Sequence, residues 1–245
     1  DAVYGYDHLT KRGWVLSTGL PERGGRGKVR ARERADWLHK ALHGPPPERV
    51  RDPATTVVAP NRNFTADDYL AAIERALEYI AAGDVFQVNL SQRFDAPLSI
   101  PPWELYLRLR ERNRAPFAAY LDFGTVQVLS ASPERFLRVS NRHVQTRPIK
   151  GTRPRGASPD EDVRLAQELL DSAKDRAELT MIVDLERNDL GRVCRFGSVL
   201  VPELCVLESY PTVHHLVATV TGELRPEVSH VDLLCATLPG GSVTG

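Results

Sequence analysis

The stretch VLVPELCVLESYPTVHHLVATVTGEL, residues 199–224, predicts two strands in direct succession, at residues 199–207 and 214–224. Before it, SPDE at residues 158–161 is typical of a capped helix start, and a second helix is predicted over residues 173 to about 186. Strands are therefore mixed with helices along the chain, without strict β-α-β alternation. This order predicts an α+β fold and argues against a doubly wound parallel sheet.

The same kinds of pattern predict the helices and strands in the rest of the chain. A helix is predicted from the capping residue Thr65 to Gly83, since apolar residues recur between them at helical spacing. Pro101-Pro102 opens another helix that runs to about Asn113, and residues 230–237 predict a short one. Strands are predicted for Val85–Leu90 and, as an antiparallel meander, for Phe117–Asp122, Thr125–Ser130 and Arg135–Val139.

Residues 18–62 have the composition of a connector, because glycine, arginine and proline dominate them. A short amphipathic helix is predicted inside it, at about Ala31–Leu42. We therefore divide the chain into the end of an N-terminal region and connector, 1–62, and a catalytic domain, 63–245. The chain starts without an initiator Met and stops on a glycine-rich turn, so we expect truncation at both ends and a domain that is incomplete at its C-terminus.

Composition excludes several classes of protein. Lys+Arg and Asp+Glu are each 32, so the formal net charge is zero, which argues against a protein whose whole surface binds nucleic acid. The three cysteines are odd in number and lack C-x-x-C spacing, which argues against a disulfide framework or a zinc knuckle and fits the reducing cytoplasm. No run of about 18 apolar residues predicts a membrane span.

The densest polar cluster is RPIKGTRPRG, residues 147–156, in which one lysine and three arginines lie within nine residues. Crowded cations destabilise one another, and Lys150 is the member that can lose its proton, because arginine does not. The neutral amine of Lys150 would be a nucleophile. The alternative interpretation is a solvated basic turn.

Carboxylates and histidines elsewhere suggest further chemistry, each with a plainer alternative. Glu134 could move protons for a lysine nucleophile, or form a surface salt bridge with a neighbouring arginine. Glu178, on a predicted helix, could bind Mg²⁺, or belong to a solvated helix face. His214 and His215 are adjacent in a predicted strand, so at most one of them faces any given pocket.

Motifs of other enzyme classes are absent from the sequence. It contains no phosphate-binding G-x-x-x-x-G-K-[ST] loop, no G-x-S-x-G nucleophile elbow and no H-E-x-x-H zinc helix. A G-x-G-x-x-G motif after a strand is also missing, so a dinucleotide cofactor has no support.

Six motifs in the same order along the chain resemble those of the chorismate-utilising family, which includes anthranilate synthase component I, isochorismate synthase and aminodeoxychorismate synthase component I. They are GDVFQV at 83–88, SPERF at 132–136, PIKGTR at 148–153, DLERND at 184–189, YPTVHHL at 210–216 and PGGSVTG at 239–245. The resemblance implies the anthranilate synthase-like fold: two packed antiparallel sheets with outer helices, and a site between the sheets.

One position separates the members of that family. At residues 148–152 this chain has P-I-K-G-T, whereas anthranilate synthases have a motif similar to P-I-A-G-T. The lysine form is similar to the motif of aminodeoxychorismate synthase component I, which is also called para-aminobenzoate synthase component I. The resemblance implies amination of chorismate to 4-amino-4-deoxychorismate, in folate biosynthesis, with ammonia from a glutamine amidotransferase subunit (component II). Alternatives are an anthranilate or isochorismate-type enzyme, and an inactive fragment or non-catalytic subunit.

Roles for individual residues are implied by the resemblance in the same way. Lys150 would be the covalent nucleophile and Glu134 the general acid and base, while Glu178 would be one of two glutamates that bind Mg²⁺. The substrate-binding residues would be Gly151, Thr152, His215 and Ser242. The second glutamate, and an arginine and a tyrosine for the enolpyruvyl group, match nothing here, so we expect little activity from these 245 residues alone.

Overall fold

The computed structural model describes residues 1–45 and 59–243. The chain divides into two compact units, residues 1–54 and 55–245. The boundary predicted between residues 62 and 63 stays a prediction. No helix within the described ranges combines the length and the apolar character needed to cross a membrane.

The first unit contains a hairpin and a long helix. Strands β1 (Ala2–Asp7) and β2 (Arg12–Ser17) pair antiparallel, and helix α1 spans Gly24–Leu42. The helix predicted inside the connector is confirmed as part of α1, but its predicted start is seven residues too late (31 against 24). The physical reason is close packing: a Cβ on Gly19 would lie 2.0 Å from the Gly27 carbonyl oxygen, so these glycines let the preceding loop lie against the helix. The prolines at positions 46, 47 and 53 lie outside the described residues.

The second unit is built on one five-stranded antiparallel sheet. Strand β11 (Val213–Glu223) lies at its centre, pairing with β10 (Leu200–Ser209) on one side and with β8 (His143–Arg147) and β9 (Ile149–Pro154) on the other. Strand β7 (Arg135–Ser140) pairs with β8 at the far edge. The predicted strands at 199–207 and 214–224 are confirmed as β10 and β11.

Helices α4 (Pro159–Asp171), α5 (Ala173–Gly191) and α6 (His230–Thr237) form the core together with this sheet. The side chains of Ser158, Ser172 and Ser229 accept hydrogen bonds from backbone N–H groups in the first turns of these helices, so each start has a true cap. The core includes Val144, Leu169, Leu179, Leu190, Leu216, Ala218 and Val220, all of them fully buried. Alternate residues of β11 thus face α4 and α5.

The remaining elements are two helices and four short strands. Helix α2 (Ala66–Ala82) begins at the Thr65 cap and ends at Gly83 in a left-handed conformation, and α3 covers Pro102–Arg112; both helices are confirmed. Strands β5 (Phe117–Asp122) and β6 (Gln127–Ser132) form a hairpin, while β3 (Asn61–Arg62) and β4 (Phe94–Asp95) pair with each other.

Two strand predictions fail, one in its existence and one in its pairing, because a strand forms only where a partner strand is available. Val85–Leu90 alternates like a strand, yet it forms no ladder among the described residues, and Phe86 is 81% exposed. The predicted strand Arg135–Val139 is confirmed as β7, but its place in the meander is wrong, because β7 pairs with β8 and not with β6. The PIKGTR segment, for which a solvated basic turn was the alternative interpretation, lies in strand β9, since β11 offers it an antiparallel edge.

The α+β class with antiparallel sheets is confirmed. The described residues contain the five-stranded sheet and three two-stranded ones. The glycine-rich segment at the end of the described range forms a 3₁₀ turn at Gly241–Val243, and Thr244 and Gly245 of the PGGSVTG motif lie outside that range.

Candidate active site

Lys150 lies on β9 at an irregularity in its pairing with β11. Lys150 is opposite Leu216 and Thr152 is opposite His215, so Gly151 is an extra residue in the ladder, with φ +80°. The Lys150 side chain is only 14% exposed, and its Nζ lies 3.6 Å from Oε1 of Glu178 on α5. The same Nζ donates a hydrogen bond to the Ser242 carbonyl oxygen at 3.5 Å.

Glu134 lies in the segment just before β7, and its side chain contacts Ser242, the residue whose carbonyl oxygen binds Lys150. The Ser242 hydroxyl donates a 2.5 Å hydrogen bond to its Oε1. Burial raises the pKa of Glu134 above its usual range, although the Ser242 hydrogen bond, the Lys150 charge and the Ile149 N–H all oppose this rise. A carboxyl with a raised pKa is suited to give and take protons near neutral pH. The alternative of a salt bridge with Arg135 is not seen, since Arg135 donates to Gln145 instead.

The fold therefore brings together Lys150, Glu134, Glu178 and Ser242, which lie far apart in sequence. They come from β9, from the segment before β7, from α5 and from the 3₁₀ turn. Beside them lies a cavity of about 290 Å³, close to the lower size of small-molecule sites. Its lining includes Glu134, Phe136, Glu186, Gly240, Gly241 and Ser242.

The two adjacent histidines point to opposite faces of the sheet, as expected for neighbours in a strand. His214 is buried on the helix face, where its Nε2 lies 3.0 Å from Oδ1 of Asp162 on α4. His215 faces the other way, with its Nδ1 2.9 Å from the Thr152 hydroxyl and its ring against Tyr210. His215 thus contacts Thr152 and lines a second cavity, of about 650 Å³. Burial lowers the pKa of His215, opposed by the Gly151 backbone and Glu208.

The arginines around Lys150 do not crowd it. Arg147 binds Glu208 at 2.5 Å, Arg153 binds Glu168 at 2.8 Å and Arg155 binds Asp162 at 2.6 Å. Each guanidinium is paired with a carboxylate from another element, which compensates its charge there. The sequence could not reveal this, because the partner carboxylates lie on other elements.

Glu178 fits as one ligand of a Mg²⁺ site, although it does not form a complete one. Its side chain is 34% exposed and points at Lys150. The part of the chain that the structure describes contains no group of three or more His, Cys, Asp or Glu side chains that could hold a metal. Mg²⁺ commonly takes one or two carboxylates together with waters and substrate oxygens, so a single accessible glutamate is compatible with such a site.

Glu186 is a residue of this region that the sequence interpretation did not single out. It is 8% exposed, lies on α5 two turns after Glu178, and lines the same cavity as Glu134. Burial raises its pKa to about 8. Helical spacing was the available signal, since residues 178, 182 and 186 follow each other at intervals of four and share one helix face.

Known proteins resemble the whole chain. The family model described as chorismate binding enzyme matches residues 1–245. The chain is 52% identical over 183 residues to aminodeoxychorismate synthase component 1 of Escherichia coli (strain K12), covering 75% of the chain and 40% of that protein. It is 47% identical over 245 residues to anthranilate synthase component 1 of Thermus thermophilus, covering 100% of the chain and 52% of that protein.

A solved structure supports the same relationship. The crystal structure of anthranilate synthase component I from Streptococcus pneumoniae TIGR4 matches with a TM-score of 0.83 and 33% sequence identity, over 98% of this chain and 53% of that one. The chain therefore spans about half the length of these relatives, or less.

Proposed function

The chain belongs to the family of chorismate binding enzymes, and we propose that it carries the catalytic lysine of an aminodeoxychorismate synthase component I. This enzyme would convert chorismate and ammonia to 4-amino-4-deoxychorismate and water. The observation that carries the proposal is Lys150, a nearly buried amine held between Glu178 and the Ser242–Glu134 pair. The similarity to aminodeoxychorismate synthases supports the same assignment.

The proposed first step joins Lys150 to the ring. The ammonium of Lys150 first gives a proton to water, while the Glu178 carboxylate 3.6 Å away stays ionised; the amine takes a proton back from water after the second step. The free amine then forms a bond to C2, the two ring double bonds shift, and the C4–oxygen bond breaks. Glu134 in its protonated form gives its proton to the departing hydroxyl, which leaves as water.

The proposed second step reverses these changes with nitrogen in place of oxygen. Ammonia forms a bond to C4, the double bonds shift back, and the bond between C2 and Lys150 breaks. Glu134, now a carboxylate, takes the surplus proton from the incoming amine. Mg²⁺, with Glu178 as one ligand, would neutralise the charge of the substrate's ring carboxylate.

Replacement of Lys150 tests the covalent role. We expect Lys150→Ala to form product only at the assay background under conditions in which the wild type converts chorismate with Mg²⁺ and ammonium, because no other amine replaces the nucleophile. Lys150→Arg should be equally inactive, since arginine keeps its proton. Lys174→Ala, an exposed lysine on α5, is the matched control and should keep the wild-type rate.

A trapped intermediate gives a second measurement. Mass spectrometry of wild-type protein quenched with chorismate should find an added ring on the peptide that carries Lys150, and none in Lys150→Ala. Product formation at the wild-type rate by Lys150→Ala would rule out covalent catalysis by this residue.

Anthranilate synthesis is the second candidate, because an anthranilate synthase is 47% identical over the whole chain. In that reaction ammonia adds directly to C2, and no lysine is needed. The products separate the two: anthranilate is fluorescent and forms without a lyase, whereas aminodeoxychorismate needs a lyase to become para-aminobenzoate. Fluorescent product from chorismate and ammonia alone would favour anthranilate synthase.

The name component 1 on the relatives supports a second subunit. We propose that this partner is a glutamine amidotransferase that supplies ammonia, and that the enzyme works in the cytoplasm in folate precursor synthesis. Low turnover by these 245 residues alone stays a prediction, as does the alternative of a non-catalytic subunit. Activity assays with and without a glutaminase and glutamine test both.

A further inference from the structure

Ser242 contacts both of the side chains to which the proposed reaction assigns bond formation or proton transfer. Its hydroxyl donates a 2.5 Å hydrogen bond to Oε1 of Glu134, and its backbone carbonyl oxygen accepts a hydrogen bond from Nζ of Lys150 at 3.5 Å. The family resemblance implies only a substrate-binding role for Ser242. Its contacts with these two groups indicate a different one.

The 3₁₀ turn that contains Ser242 is closely packed. A Cβ on Gly241 would lie 3.1 Å from Cγ2 of Ile182 on α5, and a Cβ on Gly240 would lie 3.2 Å from the Phe136 ring on β7. Distances this short leave no room for a larger residue, so the turn lies directly against both elements. The backbone of Ser242 is therefore held in place beside α5 and β7.

The carboxyl group of Glu134 is fixed by hydrogen bonds, because a long side chain with several rotatable bonds loses its freedom only when its end is bound. The Ser242 hydroxyl and the Ile149 N–H both hydrogen-bond to this carboxyl group. Of these two donors, the hydroxyl is the one that a substitution removes without changing the backbone. Its removal therefore tests how the placement of Glu134 affects the reaction.

The carbonyl contact with Lys150 is available in both protonation states of the amine. An ammonium group has three N–H donors, and the neutral amine keeps two of them after the loss of one proton. Nζ can therefore donate to the Ser242 carbonyl oxygen while its lone pair forms a bond to the ring. One residue thus sets where the nucleophile and the acid lie relative to each other.

We propose that Ser242 is a positioning residue that holds the Glu134 carboxyl group and the Lys150 amine in a fixed arrangement. This assignment rests on the proposed function, in which Glu134 gives its proton to the departing C4 hydroxyl while the amine bonds to C2. Both changes take place on one ring in one step, so both groups must be in place at the same time. A misplaced carboxyl group slows this step and leaves substrate binding nearly unchanged.

Two variants of Ser242 separate positioning from substrate binding. Ser242→Ala removes the hydroxyl and keeps the carbonyl, so it should lower kcat about 10- to 100-fold, the range for a lost hydrogen bond to a charged group, with KM within about twofold of the wild type. Ser242→Thr keeps a hydroxyl on the same carbon and should recover most of the lost rate. Ser140→Ala, an exposed serine at the end of β7, is the matched control and should keep the wild-type kcat and KM.

A double-mutant cycle tests whether Ser242 acts through Glu134. Glu134→Gln has no proton to give to the leaving hydroxyl, so the Ser242 hydroxyl has no acid to position in that background. Ser242→Ala should therefore lower the rate of Glu134→Gln by less than about twofold. The rate is that of aminodeoxychorismate formation, coupled to a lyase, under conditions in which the wild type converts chorismate with Mg²⁺ and ammonium. If Glu134→Gln has no measurable rate, kcat and KM of the two Ser242 variants decide the question.

The outcomes distinguish this role from substrate binding and from the proposed function. A raised KM with unchanged kcat in Ser242→Ala would overturn the positioning role and make Ser242 a substrate-binding residue. Unchanged kcat and KM, or equal losses of rate in the wild-type and Glu134→Gln backgrounds, would also overturn it, and the proposed function would stand in each case. Wild-type turnover by Lys150→Ala would overturn the proposed function, and the role of Ser242 with it. Circular dichroism confirms that each variant is folded.

Discussion

Gly151 shows how one residue can set the direction of two functional side chains. It is the extra residue between Lys150, opposite Leu216, and Thr152, opposite His215. In a regular strand, residues 150 and 152 would share one face of the sheet. The added residue lets Lys150 reach Glu178 on α5 while Thr152 binds His215 on the other face.

Two conditions at this position require glycine. Its φ of +80° is disfavoured for any residue with a Cβ, and a Cβ there would lie 2.9 Å from both Leu169 Cδ1 and Asp175 Cβ. We expect Gly151→Ala to lower the free energy of unfolding by about 2–4 kcal/mol, from backbone strain and overpacking together. Urea unfolding followed by circular dichroism measures this change.

Gly124→Ala is the matched control for the backbone term. Gly124 has a similar φ of +83°, but a Cβ there would meet nothing within 4 Å. We expect Gly124→Ala to lower the free energy of unfolding by only about 1–2 kcal/mol, because backbone strain is its only effect. If both variants lower the free energy of unfolding equally, the close contact of residue 151 with α4 and α5 does not contribute to the destabilisation.

Among the elements, helix α4 has one carboxylate, Asp162, that contacts several groups at the edge of the sheet. Asp162 in its first turn accepts two hydrogen bonds from Arg155 at 2.6 and 2.7 Å and one from the Gly156 N–H at 2.8 Å. It also contacts His214 of β11 at 3.0 Å. The Arg155 guanidinium, with the Gly156 N–H and His214, holds the pKa of Asp162 far below its usual range.

The lowered pKa predicts a pH-dependent contribution to stability. A carboxylate with a lowered folded-state pKa stabilises the fold above its unfolded pKa of about 4, and this contribution is lost as the pH falls. We expect Asp162→Asn to lower the melting temperature by about 2–4 °C at pH 7, with the gap to the wild type narrowing below pH 4. Differential scanning calorimetry across this range provides the measurement.

Asp160→Asn is the control, because Asp160 lies in the same first turn and is exposed. It shares the favourable position at the helix N-terminus and has none of the Asp162 contacts among the described hydrogen bonds. A melting temperature that falls equally for both variants would assign the effect to the helix dipole and not to the Arg155 cluster.

At the scale of the whole molecule, charge and surface both favour association. The formal net charge is zero and the isoelectric point is about 7.2. Several large apolar side chains are exposed among the described residues, including Trp37, Phe86, Phe123 and Phe196. A protein without net charge lacks the repulsion that keeps molecules apart in solution.

We therefore expect a solubility minimum near pH 7, with solubility rising toward pH 5.5 and pH 9 as net charge develops. Light scattering of a concentrated sample across this range, at low salt, measures the effect. Scattering that does not change with pH would show that apolar contacts alone govern association.

Local signals predicted the helices well and the strand pairing poorly. The caps at Thr65 and Ser158 and the end at Gly83 are readable because each acts within one helical turn. A strand forms only where another strand pairs with it. The local sequences of Val85–Leu90 and of β9 do not identify such a partner. The start of α1 was predicted too late for a similar reason, since the glycines at 19 and 27 permit a close contact that composition alone does not show.

The sequence by itself determined the α+β class, the family and the identity of Lys150, because motifs and periodicity depend on residue type and spacing along the chain. Only the tertiary structure decided which groups meet. It put Glu134, Glu178 and Ser242 around Lys150, separated His215 from His214, gave each nearby arginine a carboxylate and buried Glu186. Burial and charge pairing depend on atoms that are distant in sequence and close in space, so no local pattern could report them.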